Sequence, residues 1–145
     1  MTPLWQKLQS TQGSDLNWLW LPGWSFRADV FAPFFDSLPG HHWGADYLSN
    51  DCSFEAAATQ LAATAPDTDS PEGSSAIWIG WSLGGALAAA ACAGTADTRS
   101  QFLVTLATGQ RFLSDKTGSG MPREDFEAFS QSLTSNAETT LKRFT

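Results

Sequence analysis

Basic residues are scarce in this sequence: eight Lys and Arg stand against fifteen Asp and Glu, a formal net charge of −7. A nucleic-acid binder needs a basic face to neutralise phosphate, so that class is excluded. Cysteine is nearly absent. Cys52 and Cys92 lie far apart with no CxxC or Cys/His spacing, so neither a disulfide framework nor a zinc site is indicated. Each is expected to be a small buried or half-buried side chain. Histidine occurs only as the adjacent pair His41-His42. No apolar run approaches the roughly 18 residues of a membrane span, and "MTPLWQKLQS" lacks the basic start and apolar centre of a secretory signal. The expectation is a cytoplasmic protein without a membrane partner.

What is present is a 145-residue chain, 42% hydrophobic and 16% charged, the composition of one globular domain with a real core. The charge is unevenly spread. Residues 1–110 carry only Lys7, Arg27 and Arg99 among ten acidic groups, whereas residues 111–145 carry Arg111, Lys116, Arg123, Lys142 and Arg143 against five. The neutral last quarter is expected to have a task of its own.

Along the chain, "NWLWL" reads as a strand over 17–21 that stops at Pro22-Gly23. Trp18 and Trp20 fall on one face and Leu19 and Leu21 on the other, the pattern of a central strand in a parallel sheet. Apolar residues at 30, 31, 34, 35 and 38 have the spacing of one helix face. A weak strand follows near His42–Leu48, then a helix opened by Ser53 as N-cap and closed before Pro66. "PDTDSPEGSS" is a polar loop. The strand "AIWIG", the helix "LGGALAAAACAG" and the strand "FLVTLAT" complete an alternating β and α order, the signature of an α/β layered sheet.

Gly80-Trp81-Ser82-Leu83-Gly84 fits G-x-S-x-G at the junction of an apolar strand and an alanine-rich helix, where that motif forms a nucleophile elbow. Glycines are expected at 80 and 84 because the serine sits in a strained backbone, and side chains there would strike the neighbouring strand and helix. The turn aims the helix N-terminus at the serine, so the Leu83 N–H is placed to stabilise an oxyanion. The Gly-aromatic turn of "WLWLPGW" supplies a second such N–H, assigned to Trp24. A plain glycine-rich turn and a merely packed Trp24 are the structural alternatives.

"LWLPGWSFRADVFAPFF", "IWIGWSLGGALAA", "FLVTLATGQRF" and "TLKRF" resemble, in the same order, the pimeloyl-[acyl-carrier protein] methyl ester carboxylesterases of biotin synthesis, a family of the α/β-hydrolase superfamily. The resemblance implies an α/β-hydrolase fold, a parallel sheet flanked by helices. Residues 1–113 would be the N-terminal part of the core, and 114–145 the start of a helical lid within which the chain ends. It implies a serine carboxylesterase with Ser82 as nucleophile, the Trp24 and Leu83 amides as oxyanion hole, and no cofactor. Arg143 matches a lid arginine that holds the acidic acyl-carrier protein. The chain departs from the family in reading Pro22-Gly23 where His-Gly is common and in lacking a DLPGxGxS loop. The family's catalytic acid and histidine follow the lid, so the chain as given would be inactive.

His41 and His42 precede the elbow and are expected at the surface, near the start of an edge-like strand, too far back to act as base. On a strand their side chains diverge, which argues against a joint metal site with Asp46. Core packing accounts for Trp18, Trp20 and Trp78 better than a sugar- or base-stacking platform. Two other functions remain open: a non-catalytic α/β-hydrolase-like binding protein, and a hydrolase of small esters or lactones. The sheet edge after "FLVTLAT" is expected to expose apolar surface.

Overall fold

The computed structural model describes residues 4–47, 52–66, 75–94, 101–115 and 118–144. Most of the polar loop and the end of the weak strand expected near Leu48 lie outside them. Two compact units divide at Thr108 and Gly109.

The first unit is built on a five-stranded sheet: β1 (Trp5–Ser10), β2 (Asn17–Leu21), β3 (His41–Ala45), β4 (Ala76–Trp81) and β5 (Gln101–Leu106), in spatial order β1-β3-β2-β4-β5. The last four are parallel, with Leu21 opposite Gly80 and Trp81 opposite Leu106, so their C-terminal ends line up. β1 corrects the all-parallel expectation: it runs antiparallel to β3, with a bulge between Lys7 and Gln9. The sheet is therefore mixed, and β3 is an interior strand rather than an edge.

Alternation on β2 and β4 creates two cores. Leu19, Leu21 and Trp78 meet α1 (Phe54–Ala63) through Ala57, Ala58 and Leu61, and α2 (Leu83–Gly94) through Leu87, Ala88 and Ala91. Ser53 caps α1, its Oγ accepting from the Ala56 N–H at 3.2 Å. On the other face Trp20 and Ile79 meet Ala28, Phe31 and Phe35. These belong to a 3₁₀ helix, Ala28–Ser37, containing Pro33; proline offers no N–H to an α-helical ladder. On this helix Phe31 and Phe35 are buried while Val30 and Phe34 are exposed, so the five-residue stripe read from the sequence overstates the buried face.

Among the described residues β5 pairs only with β4. Phe102, Val104 and Leu106 are exposed beside Ile77, Ile79 and Trp81, the apolar edge expected from the sequence. Cys92 is half-buried, whereas Cys52, just before the α1 cap, is exposed, contrary to expectation.

The second unit holds a bridge between Leu113 and Met121, then α3 (Arg123–Ser135) and α4 (Ala137–Phe144). The rings of Phe112 and Phe126 meet edge to face at 5.7 Å. Asn136 separates the helices and caps α4, its Oδ1 accepting from the Thr139 N–H at 3.1 Å. Among the described residues no helix is long and apolar enough to cross a membrane.

Candidate active site

Ser82 lies between the last residue of β4 and the first of α2, with φ at 54°. That left-handed backbone is unfavourable for a residue with a Cβ. The flanking glycines show why the chain accepts it. A Cβ at position 80 would strike the backbone of Gly84 and Gly85, and one at position 84 would strike the carbonyls of Leu21 and Pro22. Helix α2 thus starts in direct backbone contact with the ends of both β4 and β2. The Ser82 N–H donates to the Leu106 carbonyl at 2.9 Å, and its carbonyl accepts from the Gly85 and Ala86 N–H groups at 3.0 and 3.3 Å. Neither the Ser82 hydroxyl nor the Leu83 N–H makes a hydrogen bond among the described residues. Both groups lie at a helix N-terminus, where negative charge is favoured.

The turn after β2 sits against this junction. Phe26 N–H donates to the Gly23 carbonyl at 3.1 Å, and Ser25, at φ 67°, takes the left-handed position between them. Trp24 is the second residue of that turn. The ring of Trp81, immediately before the serine, covers Gly23 so closely that a methyl there would touch it at 3.1 Å; it also meets the Phe26 ring at 4.8 Å. The structure therefore brings Trp24, Ser82 and Leu83 to one end of the sheet.

Sequence reasoning missed two residues here. Tyr47, buried beyond β3, donates its hydroxyl to the Pro22 carbonyl and so pins the start of the Trp24 turn from below; burial raises its pKa well above the ordinary value. Thr108 touches Ser82 from beyond β5. Neither position carries a motif, and the only sequence signal for Tyr47 is that it is the single tyrosine.

The histidines lie elsewhere, and His42 is not at the surface as expected. It is fully buried, with Nδ1 accepting from Trp20 Nε1–H at 3.0 Å and Nε2–H facing the Leu38 carbonyl at 2.9 Å. Both nitrogens are engaged, which fixes the neutral Nε2–H tautomer. Burial lowers its pKa, against a smaller opposing effect of the Leu38 carbonyl. β1 and the 3₁₀ helix bury it by flanking β3, an enclosure that a local reading of "HHWGADYLSN" does not contain. His42 lies level with Trp18, and Trp18 with Ile77, five residues before Ser82 and hence about 16 Å back along the strands. His41 is half-buried and paired with the Ser10 hydroxyl at 2.9 Å.

Arg143 occupies the last turn of α4 in the second unit. Its guanidinium is exposed and makes no hydrogen bond or ion pair among the described residues, while its neighbour Lys142 binds Glu138 at 2.7 Å. Among the described residues no group of three His, Cys, Asp or Glu side chains is placed to hold a metal ion.

No protein-family model matches the chain. Individual proteins do. It is 29% identical over 144 residues to the pimeloyl-[acyl-carrier protein] methyl ester esterase of Aliivibrio salmonicida, which covers 92% of this chain and 51% of that protein. The enzyme of the same name from Vibrio parahaemolyticus is 31% identical over 144 residues, 92% of this chain and 52% of its own. That of Salmonella newport is 32% identical over 133 residues, 86% and 49%. The chain thus spans about half the length of the curated relatives it matches, and over that span it is similar to the N-terminal part of pimeloyl-[acyl-carrier protein] methyl ester esterases.

Proposed function

We propose that this chain carries the nucleophile and oxyanion hole of an α/β-hydrolase-type serine carboxylesterase that removes the methyl group from a pimeloyl-type chain held on an acyl-carrier protein, in cytoplasmic biotin synthesis. The observation that carries the reading is Ser82 itself, a left-handed serine at the β4–α2 junction whose hydroxyl has no partner among the described residues. Ser82 Oγ attacks the ester carbonyl, and the negative charge that develops on the carbonyl oxygen is met by the Leu83 and Trp24 N–H groups. Methanol leaves, water attacks the acyl-enzyme, and the free acid is released. Both proton transfers need a general base, and His42, buried and doubly bonded, does not fill that role. Residues 114–145 are read as the start of a lid. There Arg143, whose planar fork suits phosphate and carboxylate oxygens, meets the acidic carrier. A less negative lid on an otherwise acidic protein is where such a carrier is least repelled.

The test is a chimaera in which this chain replaces the matching half of the Vibrio parahaemolyticus esterase. The chimaera is expected to hydrolyse carrier-bound pimeloyl methyl ester and to lose that activity with Ser82→Ala, while the 145-residue chain alone stays about 10³-fold or more below it. Arg143→Glu is expected to cut turnover of the carrier-bound ester about tenfold, less so at high salt, and to spare a small soluble ester. Equal turnover of both esters with and without Arg143→Glu points to a small-ester hydrolase. A folded chimaera that binds the carrier without turnover points to a binding protein.

A further inference from the structure

A left-handed serine persists only where its surroundings over-determine it. Around Ser82 much of that constraint comes from the segment that leaves β5. The bond from the Ser82 N–H to the Leu106 carbonyl, 2.9 Å, adds one contact beyond the last paired residues of β4 and β5. The next residue, Ala107, is itself left-handed, with φ at 47°. The hydroxyl of the residue after it, Thr108, lies 3.1 Å from the Ser82 carbonyl and 3.2 Å from the Leu106 carbonyl, so its single proton is shared between them. Gly85 completes the arrangement. It lies outside the G-x-S-x-G pattern, yet a Cβ there would run into the Thr108 hydroxyl. The second glycine of "LGG" makes room for the threonine.

We propose that Thr108 is a positioning residue: with Ala107 and Gly85 it latches the Ser82 backbone and thereby sets the direction of the Ser82 hydroxyl and the Leu83 N–H. What the latch serves rests on the reading of Ser82 as a nucleophile, whereas the latch itself is read from the backbone of the 145-residue chain. The experiment is amide hydrogen exchange by NMR on that chain and on Thr108→Val, Thr108→Ser and Gly85→Ala. Thr108→Val keeps the shape and removes the hydroxyl; exchange at Ser82, Gly85 and Ala86 is expected to quicken about tenfold while Leu19 and Trp20 in β2 keep their rates. Thr108→Ser restores the slow rates, and Gly85→Ala, which fills the hydroxyl's place, gives the same local rise as valine. A uniform rise across the sheet, or no rise at Ser82, overturns the latch. Should Thr108→Val fail to fold, the serine variant decides: slow exchange at Ser82 supports the latch and fast exchange overturns it. The esterase proposal is judged separately by turnover of the chimaera, so either can fail without the other.

Discussion

The two ends of the parallel strands handle the same backbone problem in opposite ways. At the N-terminal end, where the chain turns into β2 and β3, the positions with positive φ are Gly13 and Gly40, residues for which that conformation carries no Cβ penalty. At the C-terminal end the positive-φ residues that follow β2, β4 and β5 are Ser25, Ser82 and Ala107, the non-glycine residues of this kind among those described. The polar groups differ in the same sense. His42, toward the first end, has both nitrogens bonded, while the Ser82 hydroxyl and the Leu83 N–H, at the second, have no partner among the described residues. One end is settled for stability. The other holds strain and unpaired groups of the kind that clusters at functional sites.

The largest effect expected at the strained end comes from closing its backbone contacts. Gly84→Ala drives a methyl into the Leu21 and Pro22 carbonyls and is expected to cost more than about 3 kcal/mol in urea unfolding. Gly94→Ala, which meets open space, should be neutral or slightly stabilising. Similar costs at both positions would mean that the β2 end and α2 are not in contact.

Next in size is the satisfied end. His42→Ala leaves the Trp20 N–H and the Leu38 carbonyl unpaired in the core, an expected loss of about 2–3 kcal/mol. The histidine also gives a pH signature. Its folded pKa lies below the ordinary value of 6.5 because of burial, so the unfolded chain binds the proton more readily. The stability contributed by neutral His42 is therefore complete above about pH 6.5 and declines as the pH falls below it. A urea midpoint that falls on acidification below pH 6.5 in the parent, with a shallower fall in His42→Gln, is the expected outcome. Identical slopes would place His42 in water.

The smallest effect sharpens the comparison most. Glycine suits a left-handed backbone and alanine does not, so Ser82→Gly should be more stable than Ser82→Ala by about 1 kcal/mol, and Ala107→Gly should gain a similar amount over the parent. Gly13→Ala, at the settled end, should lose stability. If glycine gains nothing at 82 and 107, the strain assigned to this end is absent.

Much of the strained end was legible because its logic is local. The strand 76–81, the serine and the helix 83–94 follow one another directly, and glycines at 80 and 84 carry the close approach in the sequence itself. The Ser53 cap and the two-faced burial of β2 were readable for the same reason. What escaped the sequence depends on distant pairing. "WQKLQS" alternates weakly, and β1 becomes a strand by pairing antiparallel with β3 more than 30 residues later. That pairing encloses His42, whose partner Trp20 is 22 residues away, so two polar-looking histidines read as surface. Thr108 and Tyr47 escaped likewise, since a hydroxyl that reaches a remote carbonyl leaves no local pattern.

If the strained end is the chemical end, Ser82 is its nucleophile. The direct measurement is peptide mapping of a fluorophosphonate adduct on the chimaera with the Vibrio parahaemolyticus half. A single adduct on the peptide containing Ser82, lost in Ser82→Ala together with ester turnover, is the predicted result. An adduct on Ser25, Ser53 or another serine, or ester turnover that survives Ser82→Ala, would contradict it.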